Sequence, residues 1–119
     1  MNEQRRDSAR EAAMNAADRA EKLEKRLSEL ANSRGSNRED LERARAALAA
    51  AKVRAATAHK RAAQQHRDSA DRHEHAADLL EADGEHERAE AHRQAATKDR
   101  EAADQDEEGA VEDQRQPRS

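Results

Sequence analysis

Leu23-Glu24-Lys25-Arg26-Leu27-Ser28-Glu29-Leu30-Ala31-Asn32-Ser33-Arg34-Gly35-Ser36-Asn37-Arg38-Glu39-Asp40-Leu41-Glu42-Arg43-Ala44-Arg45-Ala46-Ala47-Leu48 is the stretch in which this chain turns back on itself. Leucines step by threes and fours up to Leu30 and resume at Leu41, the spacing that keeps an apolar seam on one side of an α-helix. Between them, Asn32-Ser33-Arg34-Gly35 supplies turn formers and a glycine able to take the left-handed conformation after a last helical turn. Ser36-Asn37-Arg38-Glu39 has the capping-box spacing, in which a Ser hydroxyl and a Glu carboxylate satisfy free backbone amides at a helix start.

Outward from this turn the apolar residues mirror one another. Leu30 falls opposite Leu41, Leu27 opposite Ala44, Leu23 opposite Leu48, and Ala20, Ala16, Ala13 and Ala9 opposite Ala51, Ala55, Ala58 and Ala62. The pattern predicts two antiparallel helices, with Leu23, Leu27, Leu30, Leu41 and Leu48 as seam anchors. The first helix is expected over about 3–32. The second, over about 37–82, contains neither Pro nor Gly and would be about 67 Å long at 1.5 Å per residue.

Near residue 59 the register slips. A new seven-residue repeat appears: His59, Ala63, His66, Ala70, His73, Ala77 and Leu80. Such a slip re-aims a contact face, which reads as the handover from one partner helix to another. Asp83-Gly84-Glu85 breaks the pattern, and a third helix is expected over about 85–106. Mirrored about that break, Ala77 falls opposite Ala89, His73 opposite His92, Ala70 opposite Ala96, His66 opposite Asp99, Ala63 opposite Ala103 and His59 opposite Asp106. Residues 1–106 thus read as a single all-helical domain, an elongated antiparallel coiled-coil hairpin with a long central helix and a third shorter one. The segment 107–119 carries the only Pro and reads as a disordered acidic tail.

Composition explains why helix is favoured and why packing is thin. Of 119 residues, 29 are Ala, 7 Leu, 2 Val and 2 Met, with no Ile and no aromatic residue, while 42% are Asp, Glu, Lys or Arg. Ala is the best helix former, and Glu, Arg, Lys and Gln follow closely. Burying a Leu stabilises by roughly 1.5 to 3 kcal/mol, whereas ordering each residue costs about 1 to 2 kcal/mol. Seven leucines leave little surplus. Self-association into a dimer, or docking to a protein partner, would add the missing contact.

Several function classes lose support. Without cysteine there is neither a disulfide framework nor a Cys-based metal or redox site. The start, Met1-Asn2-Glu3-Gln4-Arg5-Arg6, lacks the apolar run of a secretion signal, and no stretch approaches the roughly 20 apolar residues of a membrane span. A cytoplasmic protein is expected. Gly35, Gly84 and Gly109 are the only glycines, so no phosphate-cradling loop exists, nor a Gly-x-Ser-x-Gly turn. No Glu-x-x-His occurs as in di-iron bundles, and small side chains make poor pocket walls. Neither an enzyme nor a cofactor is indicated. Arg43, Arg45, Lys52, Arg54, Lys60, Arg61 and Arg67 form a block free of acids between Glu42 and Asp68. They flank both sides of the Ala stripe, with no aromatic residue to stack a base, which argues against nucleic acid. From Asp83 onward twelve acids meet six bases, so the basic middle and acidic end can pair within one chain or between two.

The six histidines are the sharpest chemical feature. His59, His66 and His73 lie two turns apart, about 10.5 Å along the axis, too far to share one ion, and no two histidines have the i, i+4 chelating spacing. No metal is assigned. The cross-helix pairs His66–Asp99 and His59–Asp106, with His73–His92, are instead candidate pH-sensitive contacts. A charged imidazolium is attracted to a facing carboxylate, so stability from those pairs is expected at acidic pH and lost as pH rises.

The stretch Ala58-His59-Lys60-Arg61-Ala62-Ala63 through Asp83-Gly84-Glu85-His86-Glu87-Arg88-Ala89-Glu90-Ala91-His92-Arg93-Gln94-Ala95-Ala96 resembles segments of small Ala-, Arg- and His-rich helical proteins of high-GC actinobacteria, a group of unknown function. The resemblance covers under half the chain and implies a bacterial cytoplasmic origin. The same stretch also looks like one helical hairpin of the tetratricopeptide type, with Leu80, Gly84, Ala89 and Ala96 at the packing positions and the bulky aromatic positions of that repeat missing. The expected function is a non-enzymatic coiled-coil scaffold or protein–protein interaction module. One alternative is a stress-associated hydrophilic protectant, largely disordered when dilute. A second is His-based metal or pH sensing through His59, His66, His73 and His92.

Overall fold

A computed structural model describes residues 2–33, 35 and 37–115, with side chains from Ser8 onward. It contains three helices, α1 (Asn2–Asn32), α2 (Arg38–Ala82) and α3 (His86–Asp113). They form an elongated all-α rod of 72 × 26 × 14 Å. Both α1 and α3 fold back antiparallel onto α2, and α2 runs nearly the whole length of the rod.

Local chemistry sets the ends of these elements. The α1–α2 turn includes Ser33, whose amide bonds to the Leu30 carbonyl at 3.2 Å and whose hydroxyl accepts from Gly35 N–H at 3.3 Å. The capping box expected at Ser36 and Glu39 falls on a residue, Ser36, outside the described set. The N-cap of α2 is Asn37, in extended conformation, with its Oδ1 accepting from the Asp40 amide at 2.8 Å. Glu39 and Asp40 occupy the first turn, where negative charge favours the helix dipole.

The second turn is tighter. Gly84 adopts φ 80°, its amide donates to the Glu81 carbonyl at 3.0 Å, and Glu85 N–H reaches the Leu80 carbonyl at 2.8 Å. This reciprocal pair closes a Schellman motif, which needs a left-handed residue at the first position past the helix.

Two sequence expectations are corrected. The first is the tail. Residues 107–113, expected as part of a disordered segment, continue α3, because the seven-residue repeat does not stop at Asp106: Ala110 is buried and Asp113 is half-buried. Residues 116–119 of that segment lie outside the described set. The second is the handover near residue 59. At 31 and 28 residues, α1 and α3 together outrun the 45 residues of α2, so their ends overlap along its middle. There α2 carries small residues in adjacent pairs, Ala55/Ala56, Ala62/Ala63 and Ser69/Ala70, all buried. The first of each pair continues the stripe of Leu48 and Ala51, and the second belongs to the stripe of His59 and His66. The register slip therefore marks two neighbouring faces used at once.

The core consists almost entirely of methyl groups. Ala56, Ala63, Ala70 and Ala77 of α2 and Ala89, Ala96, Ala103 and Ala110 of α3 recur every seventh residue and are 0–3% exposed. Small side chains at a seam let helix axes approach closely. At the other end of the rod the seam anchors differ. Leu48 is 4% exposed, while Leu23, Leu27, Leu30 and Leu41 are only half-buried. Two helices alone cannot enclose a side chain the size of Leu, because both flanks of the seam stay open. Among the described residues no helix is long and apolar enough to cross a membrane.

Candidate functional site: a histidine and aspartate ladder

Between the alanine layers of α2 and α3 lies a second set of seventh residues, His59, His66 and His73 on α2 and His92, Asp99, Asp106 and Asp113 on α3. Antiparallel packing interleaves them. His59 Nε2 stands 3.2 Å from Asp113 Oδ2, and its Nδ1 stands 3.5 Å from Asp106 Oδ1. His66 Nε2 lies 3.7 Å from Asp106 Oδ2, and its Nδ1 lies 3.2 Å from Asp99 Oδ1. His73 Nε2 is 4.0 Å from Asp99 Oδ2, and its Nδ1 meets His92 Nδ1 at 2.8 Å. The order Asp113, His59, Asp106, His66, Asp99, His73, His92 is a continuous alternation over three heptads, about 31 Å of helix at 1.5 Å per residue.

The structure thus brings His66 to Asp99, His59 to Asp106 and His73 to His92. It adds second partners, Asp113 for His59 and Asp106 for His66, each one heptad along from the mirrored residue. The sequence signal for Asp113 is its place seven residues past Asp106, obscured by Gly109 between them. That glycine sits inside α3, where glycine costs about 0.5–1 kcal/mol relative to Ala. A Cβ at residue 109 would come within 3.0 Å of the His59 ring. The missing side chain makes room for the imidazole.

The ladder is dry in its middle. Side-chain exposure is 8% at His66, 5% at Asp99 and 9% at Asp106, rising to 28% at His73 near the turn. Burial raises the Asp113 carboxyl above its ordinary range, opposed by the neighbouring His59 and reinforced by Glu112. His59 Nδ1, His66 Nε2, Asp106 Oδ2 and Asp113 Oδ2 are buried with no hydrogen-bond partner of good geometry. The histidine pair has its own constraint. A hydrogen bond between two Nδ1 atoms needs one of them protonated and the other bare, so the 2.8 Å contact holds a single proton. The rings lie 5.1 Å apart and tilted by 38°.

Charged side chains line both edges of the seam. Arg67 reaches Asp104 at 3.4 Å and Glu107 at 3.0 Å, and Arg100 reaches Glu74 at 3.2 Å. Near the turn Arg93 contacts Glu81 at 3.2 Å, and His86 donates to Glu81 at 2.6 Å. The His86 hydrogen bond, followed by that from Arg93, holds the Glu81 carboxyl below its usual range. At the far end, Lys52 Nζ donates to the Arg115 carbonyl at 2.9 Å, closing the C-terminus of α3. Arg67, from the basic middle of the sequence, thus meets the acidic end within one chain.

Among the described residues no three His, Asp or Glu side chains converge as a metal site would need. Imidazoles and carboxylates here are paired along a line. A separate cleft of about 600 Å³ opens where α3 ends beside the leucine seam, lined by Leu27, Leu48, Val53, Lys52 and Arg115 among others. Comparison with family models, curated proteins and solved structures gives no match for this chain.

Proposed function

We propose that this protein is a non-enzymatic coiled-coil scaffold of the cytoplasm that assembles through its leucine end. The observation that carries the reading is the half-burial of Leu23, Leu27, Leu30 and Leu41, beside a cleft whose apolar walls include Leu27, Leu48 and Val53. These hold most of the large apolar side chains in a chain with seven leucines. The occupant that fits is a second copy. Two such hairpin ends can stack their open flanks into a four-helix bundle, in which leucine seams close from both sides. Exposed Glu21, Lys22, Lys25 and Arg26, with half-buried Glu24, mix both signs along α1, which suits pairing of like with like.

Light scattering over a concentration series tests this directly. The expected mass is twice the 13.3 kDa of one chain, falling to that of one chain in Leu27→Asn. Val111→Asn, on a more exposed apolar residue of α3, is expected to leave the dimer intact. A single-chain mass at every concentration contradicts the proposal.

A further inference from the structure

The geometry points to a proton-operated clasp: α3 docks along α2 with protons bound to the ladder, and it loosens as those protons leave. The argument starts from donors and acceptors. A neutral imidazole has one N–H and one bare nitrogen, and an ionised carboxylate only accepts. Yet both nitrogens of His59 and both of His66 face carboxylate oxygens, at 3.2–3.7 Å. With neutral rings, one nitrogen lone pair of each would point at a carboxylate oxygen. With a second proton on each ring, every one of these contacts becomes an ion pair, and the His66 Nδ1–Asp99 Oδ1 contact also has hydrogen-bond geometry.

Charge balance leads to the same place. Docking takes Asp106 and Asp113 out of water, and an uncompensated buried carboxylate is costly. The compensation is a proton, on the imidazole or on the carboxyl itself. On either member it comes from solution, because in the undocked chain near neutral pH the carboxylates are ionised and the imidazoles largely neutral. Among the described residues, other charges facing the seam do not replace it. On α2, Arg67 is engaged with Asp104 and Glu107, and Glu74 with Arg100. On α3, His92 shares its Nδ1 contact with His73. On α1, which covers the neighbouring face of α2, Arg10, Glu11, Asp18 and Arg19 are exposed.

The sign follows from linkage. A docked state holding more protons than the undocked state gains stability as pH falls and loses it as pH rises. Thermal melts of the full chain followed by helix circular dichroism, at a concentration where light scattering gives one mass throughout, read the effect apart from assembly. The midpoint is expected to be about 10–15 °C lower at pH 8.5 than at pH 6, the size that an average uptake of about one proton over that range gives a domain of this length. His59→Gln with His66→Gln is expected to flatten that slope whatever it does to the midpoint itself. Asp106→Asn, which removes the carboxylate shared by both rings, halves the slope and serves where the double variant does not fold. A third readout needs no variant: urea unfolding of the wild-type chain in weakly buffered solution at pH 7.5 should release protons. A midpoint as high at pH 8.5 as at pH 6, or unfolding without proton release, overturns the clasp.

Discussion

The two ends of this rod solve the same packing problem with opposite materials. At the leucine end, large side chains meet across two helices and stay half-exposed. At the ladder end, alanines are 0–3% exposed, and the layers between them hold imidazoles and carboxylates. Side-chain size alone does not make a core. A narrow seam of methyl groups closes because the backbones can approach, and a wide seam of leucines stays open until something covers its flanks. The closed end carries a cost of its own, since its spare volume is filled by groups that must be hydrogen-bonded and charge-balanced.

The contrast breaks most readily by enlarging the closed seam. Ala96 is 0% exposed, and Ala96→Leu is expected to cost up to about 3 kcal/mol by forcing α2 and α3 apart. Urea unfolding followed by circular dichroism measures it. The mirror-image change at the open end is milder. Leu23→Ala removes a half-buried side chain and is expected to cost about 1–2 kcal/mol under conditions where the chain is monomeric.

A smaller effect sharpens the role of the glycine in α3. Gly109→Ala gains helix propensity of up to about 1 kcal/mol but sets a methyl 3.0 Å from His59, so the wild-type background is expected to lose stability. In a His59→Ala background the same change is expected to stabilise. A double-mutant cycle reads the reversal. The smallest expected effect lies at the turn. Glu81 is held below its usual range by His86 and Arg93. A depressed carboxyl contributes above its unfolded value and loses that contribution as pH falls through its folded one. Glu81→Gln is therefore expected to remove an acid-side decline in α2–α3 turn protection below about pH 4.5, seen in amide exchange of residues 80–86.

Much of this architecture is written in periodicity. Leu30 and Leu41 around a turn, and His66 and Asp99 around Gly84, fall opposite one another once two antiparallel helices are drawn. Four features were hidden for physical reasons. Gly109 reads as a helix breaker because glycine has low helix propensity, whereas its role is to leave volume for a ring on another helix, which no local rule contains. The overlap of α1 and α3 was encoded in the doublets Ala55/Ala56 and Ala62/Ala63, but an alanine-rich helix offers so many small residues that a two-faced segment looks like a change of register. At the α2 start, Ser36 and Asn37 are both good capping residues one position apart, and Asn37 is the one that bonds the Asp40 amide. Each ring's second carboxylate was missed because mirroring assigns one partner per residue, while a long side chain between heptad layers reaches two.

Residue-resolved amide hydrogen exchange of the monomeric chain at pH 6, corrected for intrinsic rates, tests the contrast most directly. Slow exchange is expected through α3 and residues 52–80 of α2, with faster exchange in residues 8–32 of α1 and 38–47 of α2. Greater protection in α1 than in α3 would contradict the claim that the small-residue ladder, and not the leucine seam, is the closed core of this protein.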